Sequence, residues 1–157
     1  MKATAIISCI VLVLFPLQQR SSGWRGIIPL HSTRADVERL LGAASDECRC
    51  LYKSRDENVH IEYSIERCGQ GERNELDVPP DTVLTVAVYL KRKPLWSELG
   101  LDSTRFEKTE DPELRGNISY TSYQEGVTYS LGSDRRVFEI TYFGTLKDRN
   151  NLRCPSK

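Results

Sequence analysis

Two side chains with acid–base and metal-binding chemistry lie two positions apart in the chain. His60 and Glu62 flank Ile61, and side chains two apart in a strand project from the same face. A histidine beside a carboxylate can exchange protons near neutral pH or supply two metal ligands. The pair is therefore a candidate site for a small hydrolase or a metal-binding protein. A solvated strand face without chemistry explains the same residues, and we favour that interpretation.

No other motif in the sequence indicates catalysis. The chain lacks a G-x-S-x-G elbow, an H-E-x-x-H helix, a P-loop and a G-x-G-x-x-G turn. Its 22 Lys+Arg balance 22 Asp+Glu, which argues against nucleic acid as the main partner because counterion release needs clustered basic residues. We therefore expect no catalytic residue, no metal and no cofactor.

The N-terminal segment has the pattern of a secretory signal. A single positive charge precedes an almost unbroken apolar run at 6–17, which is shorter than the ~20 residues that span a bilayer. Ser21 and Gly23 are small residues three and one before Trp24, so we predict cleavage there. The sequence thus predicts a signal peptide at 1–23, export to the periplasm or the exterior, and no transmembrane span after cleavage.

Four cysteines remain after the predicted cleavage, at positions 48, 50, 68 and 154. An even number in an exported chain predicts two disulfides. A Cys48–Cys50 bond would close a tiny ring inside a predicted strand, which disulfide geometry disfavours. Cys48–Cys68 with Cys50–Cys154, and Cys48–Cys154 with Cys50–Cys68, both stay open. A zinc site is the lesser alternative, because C-x-C is not the usual ligand spacing.

Apolar alternation predicts two hairpins and a central strand. The first hairpin is expected at 48–54 and 59–65, with its turn at Glu57–Asn58. Residues 83–90 are β-prone and apolar on both faces, which indicates a central strand. In the second hairpin, we expect one face to collect Ile118, Tyr120, Ser122, Val127, Tyr129 and Leu131, with Ser119, Thr121, Thr128 and Ser130 facing out.

Short helices are predicted before each group of strands. Val37, Leu40 and Leu41 form an apolar stripe that ends at Gly42, which indicates a helix closed by a glycine. A second helix of one or two turns is predicted at 94–100, with Pro at its start and Gly at its end.

The second half of the chain repeats features of the first. The pattern Tyr52-x-Ser54-x-x-Glu57-x-Val59 recurs 68 positions later as Tyr120-x-Ser122-x-x-Glu125-x-Val127. The strand at 83–86 has a counterpart at 137–140, 54 positions later. These matches indicate two half-repeats, at 24–93 and 94–157. We predict a single α+β domain at 24–157, with short helices packed on an antiparallel sheet formed by two β-meanders and stapled by two disulfides.

The helix motif at 32–42 carries a family resemblance. Its Ser32-Thr33-Arg34-Ala35-Asp36-Val37-Glu38-Arg39-Leu40-Leu41-Gly42 run resembles the S/T-x-x-x-D/E-V-x-x-L-L-G helix of BamE-like outer-membrane assembly lipoproteins. It is also similar to the repeat unit of the β-lactamase inhibitor protein fold. The whole chain resembles a family of short exported bacterial proteins with no assigned activity, on the blocks 24–42, 78–83 and 152–155. These resemblances imply an exported protein and a helix-and-sheet fold, and they imply no chemistry.

Two aromatic residues are candidate interface positions. Tyr123 falls at the tip of the second predicted hairpin, and Trp96 falls on the short predicted helix. Exposed Tyr and Trp are favoured at protein interfaces. The sequence therefore favours a non-catalytic protein that binds another envelope or extracellular protein.

Overall fold

The structure is a computed structural model that describes residues 23–68, 75–111 and 116–155. The predicted signal peptide, apart from Gly23, lies outside the described residues. The regular elements are helices α1 (Arg34–Leu41) and α2 (Leu146–Asn151) and the strands β1 (Leu51–Lys53), β2 (Glu57–Tyr63), β3 (Val83–Leu90), β4 (Glu107–Glu110), β5 (Ile118–Ser122), β6 (Val127–Leu131) and β7 (Val137–Phe143).

All seven strands belong to one antiparallel sheet, in the order β1-β2-β3-β7-β6-β5-β4. Strands β1 to β3 pair in sequence order, and so do β4 to β7. The two groups join where β3 pairs with β7. Strands that follow one another in the chain therefore pair within both wings of the sheet, and the β3–β7 pairing connects the wings.

The prediction of an α+β fold with short helices packed on the sheet is wrong. Helix α1 has 8 residues and buries only Val37, and α2 has 6 residues and buries none. Leu40, which the predicted stripe contained, is 43% exposed. The predicted helix at 94–100 is a single 3₁₀ turn at Trp96–Leu99. A helix of eight residues is about 12 Å long, whereas seven strands at about 4.8 Å spacing span roughly 30 Å, so these helices form no layer.

One face of the sheet, called here the inner face, holds the core. Under the β1–β3 wing, buried side chains from the N-terminal segment, α1 and the strands form one cluster: Ile27, Val37, Tyr52, Val59, Ile61, Val83, Val86 and Val88. Under the other wing, Trp96 and Phe106 pack on the rings of strands β5 and β6. The segments that connect the strands, more than the helices, therefore close the inner face.

The strand registers follow the alternation of the sequence. Tyr52 lies opposite Val59, and Tyr120 lies opposite Tyr129, so each of these pairs projects to one face, as the alternation predicts. The first turn is misplaced in the prediction. Asn58 pairs with Lys53, and the turn closes earlier, where the Ser54 N–H donates to the Glu57 carbonyl at 2.9 Å.

The disulfides are Cys48–Cys50 and Cys68–Cys154, so both pairings left open by the sequence are wrong. The bond thought to be excluded forms because residues 48–50 make a turn and not a strand. Arg49 has a left-handed φ of 57°, and the Cα atoms of Cys48 and Cys50 are 5.3 Å apart. Two residues of a strand would span about 6.6 Å, and the tighter turn brings the sulfurs together.

Candidate functional site

The face of the sheet opposite the core, called here the open face, carries polar side chains from all seven strands. The strand registers arrange them in cross-strand rows, because opposite residues of an antiparallel pair project to the same side. The first row contains Leu51, His60, Ala87, Thr141, Thr128, Thr121 and Glu107. The second contains Lys53, Asn58, Tyr89, Glu139, Ser130, Ser119 and Thr109. A shorter row contains Glu62, Thr85 and Phe143.

The open face remains accessible. Ala87, at 8% exposure, is the only residue of these rows that is buried. The other side chains are half-buried or exposed, and Tyr89 is 41% exposed. Side chains on the inner face, by contrast, reach complete burial, as at Ile61 and Val86. The sheet therefore presents one closed apolar face and one open polar face.

Hydrogen bonds between side chains order the open face. The Thr85 hydroxyl donates to Glu62 Oε2 at 3.0 Å, and the Thr141 hydroxyl donates to Glu139 Oε1 at 2.7 Å. The hydroxyls of Thr121 and Thr128 lie 2.9 Å apart across the β5–β6 pair. These bonds hold the carboxylates of Glu62 and Glu139 in place.

Negative charge concentrates near the centre of the open face. Burial raises the pKa of Tyr89, and the carboxylates of Glu139 and Glu62 raise it further. Tyr89 lies directly opposite Glu139, on β7. Of the residues in the rows, Lys53 is the only lysine or arginine, and it lies on the edge strand β1. Glu62 and Glu139 therefore lie near one partly exposed phenol, while Arg34 and Arg149 line the same cleft as Glu62.

The structure places His60 and Glu62 on this face, as their spacing predicts. His60 lies opposite Ala87 and Glu62 opposite Thr85, and both residues are half-buried. They also line a cleft of about 960 Å³ that Cys48 and Cys50 share. Both residues therefore project from the same side of β2, and the Thr85 hydroxyl donates to Glu62.

The two candidate interface aromatics lie on different faces. Trp96 is half-buried and stacks on Tyr120, with ring centroids 4.3 Å apart and an angle of 10° between the planes. It also meets Phe106 and Tyr129 edge to face. Tyr123 is 52% exposed and meets Phe143, at the end of the open face, at 6.0 Å. Of these two residues, Trp96 packs against other rings, and Tyr123 is the one exposed to solvent.

An arrangement around Asp46 escaped the sequence analysis. Asp46 Oδ1 accepts the backbone N–H groups of Cys50 and Leu51 at 3.1 and 3.0 Å. Asp46 Oδ2 lies 2.8 Å from Cys48 Sγ and 3.1 Å from Cys50 Sγ. Within the described ranges, these three residues are the one group of three or more that could hold a metal ion. The D-x-C-x-C spacing is present in the sequence, but only the turn at 48–50 brings the carboxylate and the two sulfurs together.

The disulfide changes what this group can bind. A thiolate is the form of cysteine that binds metals, and the sulfurs of Cys48 and Cys50 are bonded to each other. The donor set of Asp46, Cys48 and Cys50 therefore fits a metal ion only after reduction. In the oxidised protein, the group has a disulfide bond and a carboxylate beside it.

Comparisons with known proteins define the fold class and no more. The chain is similar to a crystal structure of a DUF4309 family protein (YjgB) from Bacillus subtilis subsp. subtilis str. 168. The match has a TM-score of 0.50 and 15% identity, and it covers 77% of this chain and 84% of the other. No family model matches the chain, and no curated protein matches it. The resemblance to BamE-like lipoproteins is not confirmed.

Within residues 23–68, 75–111 and 116–155, no helix has both the length and the apolar character needed to cross a bilayer.

Proposed function

We propose that this chain is an exported, non-catalytic protein that binds another envelope or extracellular protein through the open face of its sheet. The observation that carries the proposal is the polar open face, to which all seven strands contribute. Every side chain in its cross-strand rows except Ala87 is accessible. Two disulfides support export, because such bonds persist in oxidising compartments. The signal pattern before Trp24 supports the same location.

The charges of the open face define the chemistry of the partner. Glu62 and Glu139 lie near Tyr89, and both raise its pKa. A partner that presents Lys or Arg side chains would pair with these carboxylates, and its aromatic or apolar groups would cover the phenol ring. Ordered Thr and Ser hydroxyls around the carboxylates supply further hydrogen bonds. The partner is therefore a protein with a basic contact surface.

Site-specific crosslinking in the exporting host tests the face. A photoreactive phenylalanine analogue replaces Tyr89 on the open face or, as a control, Tyr120 on the inner face. We expect a covalent adduct with one protein from position 89 and none from position 120. Equal adducts from both positions, or no adduct from position 89, would rule out the open face as the binding surface.

Charge variants then test how the crosslinked partner is recognised. We expect Glu62→Gln combined with Glu139→Gln to weaken its affinity about tenfold and to reduce the salt dependence, because two attractive charges are lost. Glu66→Gln is the matched control, since Glu66 is exposed and lies beyond the end of β2. An unchanged affinity in the double variant contradicts a basic partner surface.

Export is tested independently of binding. Native mass spectrometry of the protein from the envelope fraction should give a chain that starts at Trp24 and is four hydrogens lighter than the reduced form, as two disulfides require. A chain that retains the segment 1–23 contradicts signal cleavage. A chain with free thiols and a bound zinc ion would restore the metal interpretation.

The second candidate function is a small exported hydrolase or metal-binding protein that uses His60 and Glu62. The observation in its favour is the cleft of about 960 Å³ that both residues line. A His60→Ala, Glu62→Ala variant separates the two proposals. Loss of a hydrolytic or metal-binding activity with the fold intact supports the second, and retained partner binding with no such activity supports the first.

A further inference from the structure

The two disulfides of this protein have different roles. Cys68–Cys154 joins residues 86 positions apart, whereas Cys48–Cys50 joins residues two positions apart. A disulfide restricts the unfolded chain more when it closes a longer loop. The Cys48–Cys50 bond therefore adds little to the stability of the fold, and its presence calls for a chemical explanation.

Contacts other than the disulfide hold the Cys48–Cys50 turn. Asp46 Oδ1 accepts the N–H groups of Cys50 and Leu51. The guanidinium of Arg34 donates to the carbonyls of Cys48 and Arg49 at 3.0 and 3.3 Å. Because these contacts involve no sulfur atom, the turn can persist when the S–S bond opens.

The position of Asp46 Oδ2 matches the reduced form of the turn as well as the oxidised form. This oxygen lies 2.8 and 3.1 Å from the two sulfurs. A disulfide sulfur has no hydrogen to donate, whereas each thiol of the reduced pair has one. The same turn therefore provides an acceptor for both S–H groups, so reduction needs little rearrangement.

The two cysteines differ in their exposure to solvent. Cys48 is exposed, whereas Cys50 is half-buried beside the start of β1. Both line the cleft that also contains Arg34 and Tyr63. An incoming thiolate needs a direct approach to the sulfur that it attacks, and Cys48 offers that approach.

We propose that Cys48–Cys50 is a thiol–disulfide exchange centre that transfers its disulfide to a dithiol of another exported polypeptide. One thiolate of the substrate attacks Cys48 Sγ, which forms a mixed disulfide and releases Cys50 as a thiolate. Cys50 takes a proton from solvent and donates its S–H to Asp46. The second substrate thiolate then attacks the substrate sulfur of the mixed disulfide and releases Cys48. The substrate gains a disulfide, and the Cys48–Cys50 pair gains its two electrons.

Graded reduction of the full mature chain tests the central claim. Dithiothreitol is added under native conditions, free thiols are alkylated, and peptides are identified by mass. We expect Cys48 and Cys50 to be alkylated about tenfold or more faster than Cys68 and Cys154, with the circular dichroism unchanged. If both disulfides open together as the protein unfolds, or if Cys68–Cys154 opens first, the proposal fails.

Single variants compare the access of an exchange partner to the two sulfurs. Cys50→Ser leaves Cys48 free, and it should form a mixed disulfide with oxidised glutathione about tenfold faster than the matched Cys48→Ser variant, which leaves the less exposed Cys50. When a reduced synthetic peptide with two cysteines is mixed with the wild-type protein, one peptide per chain should become oxidised. Equal rates in the two variants, or a peptide that stays reduced, contradicts the proposal.

Asp46 acts as a positioning residue, and a pH profile tests that role. Asp46→Asn keeps an oxygen for the N–H groups of Cys50 and Leu51 but removes the negative charge beside the sulfurs. In the Cys50→Ser background, the pH midpoint for modification of Cys48 should fall, because the thiolate no longer faces a carboxylate. An unchanged midpoint would show that Asp46 does not influence the sulfur.

Discussion

Ala87 and Thr141 lie directly opposite each other where β3 pairs with β7. Their separation of 54 positions is the offset that relates the strands at 83–86 and 137–140 in the sequence. Val86 lies opposite Tyr142 and Val88 opposite Ile140, so the pairing is symmetric about the Ala87–Thr141 pair. The two strands that the sequence matches at an offset of 54 thus pair with each other, and the half-repeats at 24–93 and 94–157 stay a prediction.

This central pairing predicts that the two halves of the chain assemble from separate fragments. We expect fragments 24–93 and 94–157 to associate on joint refolding, because each wing of the sheet pairs strands from one fragment and the wings meet at β3–β7. The Cys68–Cys154 bond then links them covalently, and a non-reducing gel measures the yield. Ala87→Pro, which removes a ladder N–H from a central strand, should abolish the link. Equal yields with and without this substitution contradict the predicted junction.

Local pattern predicted every strand but β4 and the faces of the paired residues. Contacts between distant parts of the chain and special backbone angles did not follow from it. Alternation placed Tyr52 with Val59 and Tyr120 with Tyr129, because side-chain direction depends only on the two-residue period. The β3–β7 pairing joins segments far apart, and no local signal specifies it. The Cys48–Cys50 bond depends on a turn in which Arg49 has a left-handed φ, and few non-glycine residues adopt that angle. The two-residue spacing was enough to place His60 and Glu62 on one strand face. The open face could be recognised only from the pairing of all seven strands.

The two disulfides should differ in their effect on stability. On loop-entropy grounds, we expect removal of Cys68–Cys154 by paired serine substitutions to lower the free energy of unfolding by about 4–5 kcal/mol. The same change at Cys48–Cys50 should lower it by only about 1.5 kcal/mol. Urea unfolding of both variants, with the m-value monitored, checks this difference. A larger loss from the Cys48–Cys50 variant would indicate that this bond is chiefly structural.

Trp96 and Tyr123 should differ in the same measurement. Trp96→Ala removes contacts with Tyr120, Phe106 and Tyr129, and we expect a loss of about 2–3 kcal/mol in the free energy of unfolding. Tyr123→Ala removes a ring that is 52% exposed and should cost less than about 1 kcal/mol. Trp96→Phe, which keeps a ring, should lie between them. If the Trp96→Ala variant is stable but binds the partner more weakly, Trp96 is an interface residue, as the sequence predicts.

Asp36 should make folding sensitive to acid. It completes a capping box at the start of α1, in which its carboxylate accepts the Thr33 N–H at 3.0 Å. That hydrogen bond, followed by those from Arg39 and the Thr33 hydroxyl, lowers the pKa of Asp36 from 3.8 to about 2. A lowered pKa means that the carboxylate stabilises the folded state above pH 3.8, and that this contribution is lost as the pH falls towards about 2.

The carboxyl carbon shift of Asp36, followed by NMR, should therefore titrate with a midpoint near a pKa of about 2. Asp36→Asn should be less stable than the wild type at neutral pH, and the difference should shrink as the pH falls, because the protonated wild-type side chain no longer carries its charge. Glu66→Gln, at an exposed residue outside the helices and strands, should show no such convergence. A titration midpoint near 3.8, the ordinary pKa, would mean that the capping box does not hold in solution.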